Sequence, residues 1–350
     1  MHVRRRSSLI SLKNRKDTQD SPGPHQRVKT TAPAGKETTV ASLDLPQGKA
    51  GSYGDTKREE IEATHGDGSA KPRRSIVTYN TIMVQFDIDA PAAPRLDFAW
   101  DIARRYEASL IGFAAAEAFL LVPGDMDGGA TGEAMRLQIE DIEDRLKTLK
   151  SEFETFTRDS NRASWRGMLG NPTRFLALNA RAADLIVTGS DDEGARSRLR
   201  TIDPGELILS AGRPILFASK DHRPMTAENV LVAWKDTREC RRAVVDALPF
   251  LIAARHVLVA TIAEDERTPA RESVADVVRF LMKHGVKARS EVLDADKMDA
   301  AEALLTAATE TGADLIVAGG YGHSRLREWA FGGVTRGLIE DSSTNRLLAN

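Results

Sequence analysis

From Asn80 onward, short apolar runs alternate with stretches whose hydrophobic positions recur at helical spacing, and the whole alternation is written twice. The first run, NTIMVQF at 80–86, has its counterpart in NVLVAW at 229–234. Both are nearly continuous in apolar residues, as a parallel strand covered on both faces requires. Each is followed by an acidic turn, with Asp87 and Asp89 in the first case and Asp236 in the second. An amphipathic helix over about 92–107 or 238–253 comes next. The pattern then predicts a second strand at 109–115 and 256–262, and a second helix at about 132–157 and 270–284. A third strand at 162–168 and 287–293 precedes a third helix at about 172–181 and 298–311. Both series run into the identical pentapeptide ADLIV, at 183–187 and 313–317. Each ends in a short closing strand, at 213–217 and 346–349. The glycine-containing stretch 123–130 reads as a loop.

Strands alternating with helices predict an α/β fold with a parallel sheet and helices on both faces. Because the series occurs twice, the expected architecture is two tandem doubly wound parallel five-stranded sheets. The units span 76–220 and 227–350, and the boundary lies in the polar, proline-containing KDHRPMTA. The closing strands are edges open to pairing between the two units or between chains, and the latter would make a homo-oligomer.

Composition adds a third region. The net charge of −2 hides an asymmetry, with +6 over residues 1–75 and −8 over the remainder. Residues 1–75 contain a single aromatic, Tyr53, and are dominated by Pro, Gly, Ser, Thr, Lys and Arg. Such a segment buries too little apolar surface to offset the entropy of ordering, so a disordered basic tail is expected. It carries no apolar core of the kind a secretory signal has. The acidic body argues against a nucleic-acid surface there. No run of apolar residues reaches the ~18 that a membrane span needs. One cysteine, Cys240, rules out a disulfide framework and fits a reducing cytoplasm.

The candidate chemistry sits in ADLIVAGGYGHSRLREWAFGGVTRGLIED, 313–341. A buried strand ends at Gly319 and Gly320, Gly322 follows, and Gly332 and Gly333 then open a helix with Val334 and Thr335. Bare glycines at a helix N-terminus allow an anion to approach unpaired N–H donors. The other reading of the same residues is a tight turn. In open sheets of this kind ligands lie beyond the carboxyl ends of the strands, where both this loop and the Asp236 turn fall.

The tandem of five-stranded units, with ADLIVAGGYGHSR at 313–325 and FGGVTR at 331–336, resembles the universal stress protein family over about 76–350, most clearly 228–350. The resemblance implies a universal stress protein-like fold, of the adenine nucleotide alpha hydrolase-like kind. It also implies a non-catalytic stress-response role with ATP, accompanied by magnesium, in the second unit. Gly319, Gly322 and Gly332 match the glycines of the family motif G-x2-G-x9-G, and Val334 and Thr335 match as well. Asp236 and Ile262 correspond to the nucleoside end, and Trp234 would either stack on a base or cap the core. Gly333 departs from the pattern, standing where nucleotide-binding members usually have Ser or Thr.

The first unit departs further. Its loop reads Gly189-Ser190-Asp191-Asp192-Glu193-Gly194, so that only Gly189 matches. Asp192 replaces the second glycine, and Ile202 and Asp203 fall where the third glycine and the hydroxyl belong. Three carboxylates there would repel a triphosphate. This unit is expected to bind no nucleotide and to act as a pairing partner. Asp203-Pro204 reads as the N-cap and first residue of a helix. The chain contains no G-x-x-x-x-G-K-[ST] phosphate loop, no SGGxDS or HIGH signature and no Cys/His metal spacing, so no enzyme is expected.

Overall fold

The computed structural model describes residues 77–119, 128–158, 160–189, 199–222, 224–262, 267–294, 299–322 and 333–350. The expectation for residues 1–75, the acidic loop at 190–198 and Gly332 all lie outside these residues. The first repeat contributes strands β1 (Thr81–Phe86), β2 (Ser109–Ala116), β3 (Ala163–Leu169), β4 (Leu185–Gly189) and β5 (Ile215–Ala218). The second contributes β6 (Asn229–Ala233), β7 (His256–Ile262), β8 (Ala288–Leu293), β9 (Leu315–Gly319) and β10 (Asn345–Ala349). The helices of the first repeat are α1 (Ala93–Arg105), α2 (Gly128–Thr157), α3 (Pro172–Asn179) and α4 (Pro204–Ser210). Those of the second are α5 (Arg238–Asp246), α6 (Leu248–Ala253), α7 (Arg267–Lys283), α8 (Ala300–Glu310) and α9 (Gly333–Glu340).

Each repeat is a doubly wound parallel sheet, ordered β3-β2-β1-β4-β5 in the first and β8-β7-β6-β9-β10 in the second. The two are fused edge to edge into one ten-stranded sheet. Strand side chains alternate between two cores. Ile82, Val84, Phe86, Leu110 and Ala114 face a layer that includes residues of α1, α2, α5, α6 and α7. Met83, Ile111 and Phe113 face a layer that includes residues of α3, α4, α8 and α9. This follows from the period-two geometry of a strand with both faces covered. Both cores contain residues of both repeats, so the halves share their interiors.

The repeated pentapeptide has a local cause. Its aspartate precedes the strand and ties down the start of the neighbouring one. The Asp184 carboxylate accepts from the Asn80 and Thr81 N–H groups at 2.8 and 3.0 Å. Asp314 accepts from the Thr226 hydroxyl at 2.6 Å and from the Asn229 N–H at 3.3 Å.

β5 and β10 pair antiparallel, with Phe217 opposite Arg346 and Leu216 opposite Leu347, while every other ladder among the described residues is parallel. Side chains lock this seam. The Ser219 N–H donates to Asn345 Oδ1 at 2.9 Å, and Asn345 Nδ2 donates to the Asp314 carbonyl at 2.9 Å. Arg346 is fully buried, at 0 % exposure. Its guanidinium donates to the Thr344 carbonyl at 2.7 Å, lies 3.9 Å from Asp341 and sits 6.0 Å from the centre of the Phe217 ring. Burial pushes this guanidinium down to about 10, against the opposing pull of Asp341, so it stays charged at neutral pH. On the other side of the sheet, Tyr79 and Tyr106 of the first half pack against Phe250 of the second, and the Tyr79 hydroxyl donates to the Asp246 carbonyl at 2.7 Å.

Two elements differ from expectation. The helix expected over 238–253 is broken at Ala247 into α5 and α6, because Pro249 has no N–H to continue the ladder. The loop expected over 123–130 gives way to helix by Gly128. The start at Pro204 holds, with Asp203 Oδ1 accepting from the Glu206 N–H at 2.9 Å. Asp203→Ala is expected to lower stability by about 1 kcal/mol, measured by denaturant unfolding.

Candidate functional site

In each half the order of winding reverses between the two central strands, β1 and β4 or β6 and β9, and the crevice where open α/β sheets take ligands falls beyond the carboxyl ends of those strands. The second-half crevice is built on backbone. Thr237 caps α5 by accepting from the Cys240 N–H at 3.3 Å, and the helix N-terminus is thereby aimed at the end of β9. A Cβ on Gly319 would lie 2.6 Å from the Cys240 amide nitrogen and 2.9 Å from both Cys240 Sγ and the Glu239 carbonyl carbon. Glycine is therefore required there for close approach of the helix. Gly320 is held on both sides. Its N–H donates to the Ala349 carbonyl at 2.7 Å, and a Cβ would meet Ile208 of the first half's α4 at 2.6 Å.

Tyr321 carries the turn in the left-handed region, at φ 55°. Such a conformation persists in a bulky residue only where its surroundings impose it. Here Asn350 Nδ2 donates to the carbonyls of Gly320 and Tyr321, both at 2.8 Å, and the Tyr321 N–H donates to Thr335 Oγ1 at 3.3 Å. Gly322 has room: a Cβ there would lie 3.6 Å from Glu239 Oε2 and 4.0 Å from Thr237 Cγ2. Gly333 opens α9, with Asp299 Oδ1 3.8 Å from where its Cβ would stand.

The residues singled out from sequence divide accordingly. Gly319, Gly322 and Thr335 come together in the glycine turn, and Gly333 and Val334 form the first turn of α9. Asp236 lies just ahead of the Thr237 cap, and its carboxylate accepts from Arg241 at 2.6 and 2.9 Å. Trp234 is buried in one core and donates its indole N–H to Ser273 Oγ at 2.8 Å. Ile262, at the end of β7, packs against the opposite core. The sheet thus separates these two side chains. The paired registers Val84↔Val187 and Val232↔Val317 also align Asp87 with Lys235, not with Asp236. A cation therefore follows β6 at the position where a carboxylate follows β1.

The first-half crevice is filled by the chain itself. A Cβ on Gly189 would run into the Arg95 guanidinium, with Cζ at 2.8 Å. Arg95 donates to the Gln85 carbonyl at 2.9 Å, to Gln85 Oε1 at 3.0 Å and to Asp87 at 3.1 Å. The Thr188 hydroxyl adds a bond to Gln85 Oε1 at 2.8 Å. In the second half the aligned positions of Gln85 and Thr188 are Ala233 and Ala318, so among the described residues the strand side chains that hold the plug have no polar counterpart. Above the plug, Arg200 donates to Asp89 at 2.7 and 3.0 Å and to Asp141 at 3.0 Å, while Arg145 joins both carboxylates. The Asp89 carboxylate raises the Arg200 guanidinium above its ordinary value. Burial would raise the Asp141 carboxyl, but Arg145 and Arg200 outweigh it and hold it low.

Sequence reasoning did not reach Arg95, Glu239, Tyr321 or Asn350. Gln85, a polar residue inside an otherwise apolar strand, was the available signal for the plug. Glu239 gave none, since it lies in a charge-rich helix whose inward face shows only in the packing.

The fold is that of the universal stress proteins, present twice in one chain. A universal stress protein from Archaeoglobus fulgidus DSM 4304 is similar over 77% of this chain and 98% of its own, at TM-score 0.57 and 14% identity. A candidate universal stress protein from Pseudomonas aeruginosa UCBPP-PA14 is similar over 77% and 93%, at TM-score 0.52 and 16% identity. A protein of unknown function from P. aeruginosa PAO1 is similar over 77% and 92%, at TM-score 0.50 and 15% identity. No protein-family model matches the sequence, and no curated protein is detectably similar to it.

Proposed function

We propose that this chain is a non-catalytic, cytoplasmic universal stress-type module in which the second half alone receives an adenine nucleotide, with ATP and magnesium as the form implied by the resemblance. The first half then serves as its structural partner. The observation that carries this reading is the contrast between the crevices. One is bordered by the backbone of Gly322 and Gly333 and by two helix N-termini, which favour an anion. The other is occupied by the Arg95 guanidinium. β5 and β10 are paired within the chain, so any edge-to-edge homo-oligomer would use the outer strands β3 and β8.

Isothermal titration with ATP and magnesium tests the reading. One nucleotide per chain is expected, binding is abolished by Gly322→Asp, and phosphate release does not exceed that of the variant. Two nucleotides per chain, or none, would overturn it. A second reading, an interaction protein with an empty site, is favoured by the absence of a hydroxyl at Gly333. Native mass spectrometry of the purified protein separates the two by the mass of any retained nucleotide.

A further inference from the structure

We propose that the outer edge of β8 is a docking surface for a second copy of this chain, the two β8 strands pairing antiparallel about Ser290. Among the described residues β8 pairs only with β7. Arg289, Ser290 and Glu291 are exposed in succession, so both faces of the strand are open there. The Val257 N–H donates to the Lys287 carbonyl at 3.2 Å, so the backbone polar groups of Lys287 turn toward β7. These groups alternate in direction along a strand, and those of Arg289 and Glu291 turn the same way. The N–H and carbonyl groups of Ala288, Ser290 and Val292 therefore turn outward, and such a row is a template for another strand. Ala288 and Val292 pack against the core that includes residues of α7. Ser290 shares their face yet is exposed, so α7 leaves the edge open at that point.

The residues of β8, ARSEVL, select both the partner and the register. A symmetric antiparallel pair is self-complementary, and its axis passes through a residue whose backbone groups face outward. An axis at Ser290 sets Arg289 of each copy opposite Glu291 of the other, on the face away from α7. It also sets Ala288 opposite Val292 on the α7 face, and the two Ser290 residues exchange N–H to carbonyl bonds. Opposite charges directly across such a pair stabilise it, and like charges destabilise it. An axis at Ala288 would instead set Lys287 opposite Arg289, and one at Val292 would set Glu291 opposite Leu293. Arg289 and Glu291 already form an ion pair within the strand at 3.1 Å, but their side chains are 63 % and 47 % exposed. Water screens that pair, and the guanidinium and carboxylate keep further donors and acceptors for a second copy. The other outer strand, β3, reads ASWRGML and holds a single charged residue, Arg166, so no axis along it forms an ion pair.

The test is sedimentation equilibrium of the full chain over a concentration series, with wild type, Arg289→Glu, Glu291→Arg and the variant carrying both changes. Wild type is expected to form a dimer. Each single reversal sets like charges across the seam at both ends of the axis, and should weaken dimerisation about tenfold or more. The double variant restores both pairs in the opposite sense and should return to within about threefold of wild type. Ser290→Cys sets two thiols opposite one another at a Cα spacing that a disulfide spans, and should give a covalent dimer on oxidation with copper phenanthroline. Lys287→Cys, away from the axis, should not, and the native Cys240 is buried. A wild type that stays monomeric overturns the proposal, as does a dimer that tolerates both single reversals. A double variant as weak as the single ones, or a dimer that Ser290→Cys fails to cross-link, overturns the pairing about Ser290. Thermal melting of each variant confirms that a lost dimer is not a lost fold.

Discussion

Phe217→Ala is expected to lower stability by about 3–5 kcal/mol, the range for removing a large aromatic from a closed core. Phe217 is 1 % exposed, lies on β5 at the junction of the halves and pairs in register with Arg346. Truncation leaves a cavity in a core that includes residues of both repeats. It also removes the ring beside the buried guanidinium, whose charge is already disfavoured by desolvation. At roughly 2–4 °C per kcal/mol for a body of this size, the melting temperature should fall by about 6–20 °C. Because the sheet is continuous through β5 and β10, wild type should melt in one transition in circular dichroism. A two-step wild-type curve, or a Phe217→Ala loss under about 1 kcal/mol, would mean that the junction does not bind the halves together.

Gly319→Ala and Gly322→Ala, two identical chemical changes three residues apart, are expected to behave very differently. At Gly319 the added methyl meets backbone, the Cys240 nitrogen at 2.6 Å, which cannot swing aside as a side-chain tip can. Overpacking of this kind costs about 1–3 kcal/mol. It also pushes α5 away from β9 and should abolish nucleotide binding. At Gly322 the nearest atom is 3.6 Å away, an ordinary contact, so stability should change by less than about 0.5 kcal/mol. Chemical denaturation of the two variants side by side measures the difference. Equal losses would contradict the close helix approach inferred for Gly319.

The comparison of halves explains why much of the fold was legible in advance. Alternating apolar runs and helical spacings are local properties, and the strands at 109–116 and 256–262 lie where the pattern placed them. Caps were legible for the same reason: Asp203-Pro204 acts through an N–H three residues away. The break at Ala247 was written in Pro249 and was missed because the apolar spacing runs across it.

The site was legible only in its glycines. Gly319, Gly320 and Gly322 stand out in any reading, but what surrounds them comes from elsewhere in the chain: Ile208 from α4, Asn350 from beyond β10 and Glu239 from α5. Arg95 looks like one more charged helix residue until its guanidinium is found over Gly189. Arg346 looks like a polar start to an edge strand until the two edges close over it.

By itself the sequence determined that an α/β unit occurs twice, where its strands and helices lie, and that only the second copy keeps a glycine turn. Those features depend on side-chain periodicity and on residues that allow or forbid local backbone conformations. Only the tertiary structure decided that the two sheets join through β5 and β10, that Arg95 plugs one crevice, and that a buried carboxylate borders the other. Edge pairing and burial of charge are settled by contacts between residues far apart in the chain, and no local pattern encodes which side chain ends beside which.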